Sequence, residues 1–452
     1  MTAPLPLTRI EAAKHAPEAP LLETLIAQAN LSPADRAAIH AEATDLVKKV
    51  RADARPGLME VFLAEYGLST EEGIALMCLA EALLRVPDAE TIDDLIEDKI
   101  APSDWGKHLG HSASSLVNAS TWALMLTGKV LDDRRSPGIA SHLRGAVKRL
   151  GEPVIRTAVG RAMKEMGRQF VLGETIEGAL DRAAKMEAKG YTYSYDMLGE
   201  AARTDADAQR YYQAYSDAID SISKRCKGDV RTNPGISVKL SALLARYEYG
   251  HKERVMNELM PRALKLARKA AAANMGFNID AEEQDRLDLS LDVIEAILSD
   301  PELKDWQGFG VVVQAFGKRA SQTLDWLYAL SEKLDRRIMV RLVKGAYWDA
   351  EIKRAQVMGL SDFPVFTRKA CSDVAYLAGA RKLLGMTDRI YPQFATHNAH
   401  SVSAVLELAK DLSRDKFEFQ RLHGMGESLH DQVLEDSGVP CRIYAPVGAH
   451  KD

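Results

Sequence analysis

From residue 191 onward the chain alternates short apolar or β-branched runs with segments of helical periodicity, and no other feature restricts its fold as tightly. The runs are 191–198 (YTYSYDML), 235–243 (GISVKLSAL), 276–282 (GFNIDAE), 308–316 (GFGVVVQAF), 336–345 (RRIMVRLVKG), 389–397 (RIYPQFATH), 417–424 (FEFQRLHG) and 441–448 (CRIYAPVG). Helical patterns at 203–226, 252–274, 285–299, 319–334, 347–358, 399–411 and 427–436 separate them. Strands alternating with helices pair in parallel through right-handed crossovers, so this order predicts the α/β class and a (β/α)₈ barrel. The sequence stops at Asp452, four residues past the last run. The expected barrel therefore lacks the final helix of its outer ring.

The first third reads as all-helical. Ser32-Pro33-Ala34-Asp35 is a capping box with proline at the first helical position, followed by Ile39, Ala43, Leu46 and Val50 at helical spacing. A second helix is predicted from Ser69 to a stop at Pro87, and further helical stretches cover 91–100 and 112–128. The polar break DDRRSPG at 132–138 marks a change of pattern. These signals divide the chain into an arm (1–50), a helical α-domain (51–130), a linker (131–155) and the barrel (156–452).

Composition narrows the function. The chain has 452 residues, 46% hydrophobic and 27% charged, which is ordinary for a globular protein long enough to hold a barrel-sized core. Lys and Arg number 59 against 64 Asp and Glu, and the cations form no long run, which argues against nucleic acid as a partner. Cys78, Cys226, Cys371 and Cys441 are scattered with no CxxC, as expected of a reducing compartment. No signal peptide and no run of eighteen apolar residues is visible, so the expected location is the cytoplasm.

In a (β/α)₈ barrel the active site is built at the C-terminal ends of the strands. Polar residues collect there: Lys239, Asp280, Glu282, Gln314, Arg341, Lys344, Thr396, His397, Asn398, Gln420, Arg421 and Tyr444. Any one of them reads equally well as a solvated strand end; spread over seven strands, they indicate a site. Lys239, Arg341, Lys344 and Arg421 outnumber Asp280 and Glu282, and a cationic mouth suits a carboxylate or a phosphate. Gly345, at a strand-to-helix turn after Lys344, allows close backbone approach to a phosphate near a helix N-terminus. Tyr347 and Trp348 beside it are core residues or a platform for a flat ring. His397 and His400 in THNAH share the spacing of a metal pair, but further ligands are missing, and no metal is expected.

Together the segments GISVKLSAL, NIDAEEQDRL, RLVKGAYWDAEIKRAQ, YPQFATHNAH, FEFQRLHGMGE and RIYAPVG resemble the proline dehydrogenase domain of the bacterial proline utilization A flavoenzymes. The likeness runs in order from about residue 150 to the end, and SDWGKHLG and VNASTWALMLTGK resemble that family's arm and α-domain. The resemblance implies a distorted barrel that binds FAD without a covalent link. It implies oxidation of L-proline to Δ1-pyrroline-5-carboxylate, with electrons passed to a membrane quinone through a peripheral contact at the inner membrane. By motif, Lys239 would pair with the substrate carboxylate and Asp280 would sit between flavin and substrate. Tyr444, Leu422 and Tyr347 would line the proline ring. Gln314, Arg341, Lys344, Gly345, Trp348, Thr367, Arg368, Lys369, Thr396, His397 and Gln420 would hold the flavin and its pyrophosphate-ribityl-adenine tail.

The sequence departs from the family in three respects. The family's helix after the eighth strand, with its carboxylate-clamping arginine pair, has no counterpart in APVGAHKD. Neither the aldehyde dehydrogenase half nor an N-terminal DNA-binding module is recognisable. A truncated piece of a bifunctional enzyme is thus expected. Two alternatives stay open: a flavin-binding module impaired in catalysis, and a metal-dependent hydrolase or aldolase barrel.

Overall fold

The computed structural model describes residues 7–52 and 170–448. The chain divides into two compact units, and the first, 1–52 with 172–448, holds all of the described residues but 170 and 171. The helices expected at 69–87, 91–100 and 112–128 and the polar break at 132–138 lie outside the described residues.

Eight parallel strands close into a barrel in sequence order: β1 (Thr192–Met197), β2 (Gly235–Val238), β3 (Gly276–Ile279), β4 (Phe309–Gln314), β5 (Ile338–Val343), β6 (Ile390–Ala395), β7 (Glu418–Leu422) and β8 (Cys441–Val447). The first and last strands seal it, Thr192 opposite Arg442 and Met197 opposite Val447. Residues 172–173 extend that seam, since Leu172 N–H donates to Pro446 O at 2.8 Å and Gly448 N–H to Gly173 O at 2.9 Å. Each strand is shorter than its sequence run, so Lys239 and Asp280 stand just past the ends of β2 and β3.

Side-chain alternation separates two environments. Tyr193, Tyr195, Ile236, Val238, Phe277, Ile279, Phe394, Phe419 and Ile443 join the apolar core that packs strands against helices. The alternate positions carry Ser194, Ser237, Asn278, Arg341, Gln393, Glu418, Gln420 and Arg442, all buried. Barrel interiors are usually filled by branched aliphatic side chains. This one is filled by a hydrogen-bonded polar column, described below.

Around the barrel run α4 (Ile176–Glu187), α5 (Asp205–Ser223), α6 (Met260–Ala272), α7 (Leu287–Leu298), α8 (Ala320–Lys333), α9 (Trp348–Val357), α10 (Lys369–Leu384), α11 (Ala399–Leu408) and α12 (Glu427–Ser437). Two of them, α4 and α10, were not predicted. Before them come α1 (Leu7–Ala12), α2 (Glu18–Ala29) and α3 (Pro33–Ala52). The capping box forms as read, with Ser32 N–H on Asp35 Oδ2 and Asp35 N–H on Ser32 Oγ. In α3, Ile39, Ala43 and Leu46 are buried. This helix packs on α11 and α12, while α2 packs on α10, so the arm clothes one flank of the barrel. Lys14 also pairs with Asp285 at 2.8 Å.

Candidate active site

Five of the expected residues meet at the C-terminal mouth in one bonded net. Arg341, inward on β5, donates from Nη1 to Asp280 Oδ1 at 2.9 Å and from Nε to Gln420 Oε1 at 2.6 Å. Its Nη2 reaches Ser237 Oγ at 3.1 Å and Ser194 Oγ at 3.3 Å, and the guanidinium lies 5.0 Å from the Tyr444 ring centre. Tyr444 donates to Asp280 Oδ2 at 2.8 Å. Lys239 Nζ lies 3.5 Å from the same carboxylate oxygen and 3.4 Å from the Tyr444 hydroxyl.

The nearest partner of Lys239 is a residue that the sequence reading missed. Asp196 on β1 accepts from its Nζ through both oxygens, at 3.1 and 3.0 Å. Burial raises the Asp196 carboxyl above the usual range, opposed by the Lys239 ammonium. Burial works against the Lys239 charge, but Tyr444, Asp196 and Asp280 outweigh it, and its pKa rises. Ser194 and Asp196 alternate in TYSYDM, and two polar residues two apart on a predicted strand were the available signal.

The net continues downward. Gln420 Nε2 donates to Glu418 Oε1 at 2.8 Å, and this oxygen also accepts from Arg442 Nε at 2.8 Å and Gln393 Nε2 at 2.9 Å. Glu418 is fully buried and Arg442 nearly so. Neither was singled out from the sequence.

Other expected residues form separate groups. Lys344 and Lys369 each contact one oxygen of Asp373 at 2.6 Å, and Lys344 lies 5.7 Å from the Tyr376 ring centre. Asp373 loses solvent by burial, yet these two ammonium groups hold its pKa below the usual range. Gly345 has φ +132°, and a Cβ there would meet the Phe316 ring at 2.4 Å. Gln314 ties the end of β3 to that turn, donating to Glu282 O at 2.8 Å and accepting from Ala346 N–H at 3.4 Å. Trp348 donates to Phe366 O at 2.8 Å, and Tyr347, half-buried, stands at the N-cap position of α9 without a side-chain capping bond. Burial raises the Tyr347 phenol. Thr367 N–H and Oγ1 both bind Glu18 of the arm, at 3.2 and 2.9 Å, and Arg368 is exposed at the N-cap of α10.

On the far side of the mouth, His397 Nε2 accepts from Leu422 N–H at 2.9 Å, and the Leu422 side chain is exposed. Thr396 is buried, its carbonyl 2.9 Å from His430 Nε2. His400 is exposed, and among the described residues no three His, Cys, Asp or Glu side chains could hold a metal ion together. Arg421 does not face the mouth. It is buried beneath the β7–α12 loop, donating to Leu422 O and Met425 O and lying 5.1 Å from the Tyr191 ring centre. With Asp196 opposite Lys239 and Asp373 between Lys344 and Lys369, the mouth is less cationic than the strand ends alone suggest.

Comparison with known proteins gives this arrangement a family. The family model of proline dehydrogenase matches residues 179–452, that of the proline utilization A proline dehydrogenase N-terminal domain matches 8–51, and that of the DNA-binding domain of proline dehydrogenase matches 58–170. The bifunctional protein PutA of Salmonella typhimurium is 49% identical over 453 residues, covering 98% of this chain and 34% of the relative. The bifunctional protein PutA of Rhizobium meliloti is 50% identical, covering 98% and 36%. The chain thus spans about a third of the length of these relatives. A crystal structure of a mutant of Bradyrhizobium japonicum proline utilization A superposes with a TM-score of 0.72 at 51% identity, over 96% of this chain and 44% of that one. By these matches, the chain belongs to the proline dehydrogenase family.

Proposed function

We propose that this chain oxidises L-proline to Δ1-pyrroline-5-carboxylate with a bound flavin, FAD, and hands the electrons to a membrane quinone from the cytoplasmic side. The observation that carries the reading is the net of Lys239, Asp280, Tyr444 and Arg341 at the barrel mouth, in a chain of this family. Peripheral contact suffices for quinone, and no described helix is long and apolar enough to cross a membrane.

The residues fit a flavin. A guanidinium has five N–H donors and four of Arg341's acceptors lie within the protein, which leaves one for a ligand. At Gly345, the residue after Lys344, the backbone bends where no side chain could stand. Arg341, Gln420, Gln314, Lys344, Gly345 and Trp348 would hold the ring and pyrophosphate, with Thr396 and His397 along one side and Thr367, Arg368 and Lys369 toward the tail. When bound, the flavin supplies the acceptor for the hydride that leaves the carbon next to the proline nitrogen.

The chain's own contribution is placement and exclusion of water. Lys239 meets the substrate carboxylate by giving up its long contacts, those at 3.4 and 3.5 Å, while Asp196 keeps its charge in place. Asp280 is fixed by Arg341 and Tyr444, and Tyr444, Tyr347 and Leu422 border the ring. The decisive measurement is an anaerobic visible spectrum before and after L-proline is added. A flavin band that bleaches is expected. A band that persists, or no band, overturns the reading, the first in favour of a flavin-binding module impaired in catalysis.

The charge balance leads us to assign no nucleic-acid partner. The match of residues 58–170 to a model described as a DNA-binding domain favours the opposite reading. Titration of a fluorescent duplex decides, and tight, salt-sensitive binding overturns our assignment.

A further inference from the structure

The polar column beneath the mouth contains an amide whose orientation is set from below. Gln420 is 1% exposed and touches a guanidinium on one side and a carboxylate on the other. Its oxygen faces Arg341 Nε and its nitrogen faces Glu418 Oε1. The reverse orientation would set NH₂ against N–H at Arg341 and oxygen against oxygen at Glu418, leaving Arg341 Nε and both ends of the buried amide without these partners. Arg341 offers only donors, and Glu418 offers only acceptors. Glu418 is itself held by Arg442 through Nε at 2.8 Å and by Gln393. Arg442 is anchored in turn on the carbonyls of Tyr193, Asn233 and Arg231.

We propose that Glu418 is a positioning residue for the site: by accepting from Gln420 Nε2 it fixes the carbonyl that aligns the Arg341 guanidinium against Asp280. Resting on the flavin reading given above, this assigns the barrel floor a part in the chemistry at its mouth. Acceptor reach matters here, and the negative charge of Glu418 does not. A carboxylate kept only to neutralise Arg442 would show the opposite preference.

Two substitutions separate these roles. Glu418→Gln keeps an oxygen at the position of Oε1, removes the charge and sets an NH₂ where Oε2 accepts from Arg442 Nη2 at 3.3 Å, a cost that the thermal midpoint reads. Glu418→Asp keeps the charge and withdraws the acceptor from Gln420. The readouts are the flavin midpoint potential and the kcat against KM split for proline, with the thermal midpoint as a control for folding. Glu418→Gln is expected to match the wild type in potential and kcat. Glu418→Asp is expected to shift the potential and lower kcat about tenfold, the size of one hydrogen bond to a charged group. Gln420→Met also removes a contact assigned to the flavin, so it should shift the potential at least as far, and adding Glu418→Asp to it should shift the potential no further.

A wild-type potential and rate in Glu418→Asp overturns the proposal, as does a Glu418→Gln variant shifted as far as Glu418→Asp. Should Glu418→Asp fail to fold, Glu418→Gln carries the comparison: a wild-type potential and kcat support the proposal and a shifted potential overturns it. Failure of the flavin reading is visible separately, in the wild-type chain, as the absence of a flavin band or of bleaching by proline.

Discussion

Tyr444 on strand β8 and Asp280 just past the end of β3 are joined across the barrel mouth by a 2.8 Å hydrogen bond from hydroxyl to carboxylate. The carboxylate's other oxygen is taken by Arg341, so Tyr444 decides which way Oδ2 faces. Tyr444→Phe keeps the ring over the guanidinium and removes the donor. A hydrogen bond to a charged group contributes about 1.5–3 kcal/mol, so kcat/KM for proline should fall at least about tenfold in steady-state assays.

Lys239 is the counter-ion of a buried aspartate. Lys239→Met leaves Asp196 without its partner, a change that typically costs about 3–5 kcal/mol. Urea unfolding should show the loss, and Asp196→Asn in the same chain should recover much of it. A double variant no more stable than Lys239→Met would remove the coupling.

Two imidazoles, His430 buried and His397 half-buried, make the fold acid-sensitive. Burial lowers His397 to about 4, helped by the nearby Arg421 cation, and burial lowers His430 to about 4 as well. A base whose pKa is lowered in the fold is more stable neutral. That contribution is complete above the unfolded value near 6.5 and is lost as pH falls from there through about 4. By pH 5 each ring should have given up about 2 kcal/mol. Urea midpoints measured from pH 7.5 to 5 test this, and His430→Gln should flatten the curve.

At Gly345 a side chain meets both a positive φ and the face of Phe316. Gly345→Ala should distort the turn after β5 at a cost of about 1–3 kcal/mol. The flavin-to-protein ratio after gel filtration should drop, and a ratio equal to wild type would sink the cofactor assignment of this turn.

Glu18 holds the arm to the start of α10 through two contacts on Thr367. Glu18→Ala removes both and should cost about 1 kcal/mol, the worth of partly exposed hydrogen bonds. Limited proteolysis should then cut the first fifty residues sooner, with the barrel core unaffected.

The strands were legible because each is an uninterrupted apolar or alternating run with a helical period on both sides. Helix α10 was not, and its burial explains why. Cys371, Ala375, Tyr376, Ala378, Gly379, Ala380, Leu383 and Leu384 cover most of its circumference, because the arm packs on one side and the barrel on the other. A helix buried on two faces has no polar stripe to mark its period. Strand-end logic found Lys239, Asp280, Arg341, Gln420 and Tyr444. It missed Asp196, Glu418 and Arg442, since a charged residue inside a strand reads as a solvent-facing position unless the barrel interior is itself polar. It also gave Arg421 the wrong side, as its neighbour Gln420 already occupies the inward position on β7.

The arm and the surface it covers are separated by more than three hundred residues of chain, Glu18 meeting Thr367 and Ala29 meeting Arg381. On a ribosome, the arm emerges more than three hundred residues ahead of α10 and has none of that surface to lie against until α10 has been made. Its apolar positions Leu25, Ala29 and Leu46 stay exposed to competing partners for that whole interval. Docking of the arm thus joins two segments made far apart in time, and closure of the arm over α10 is the event to watch in a refolding experiment.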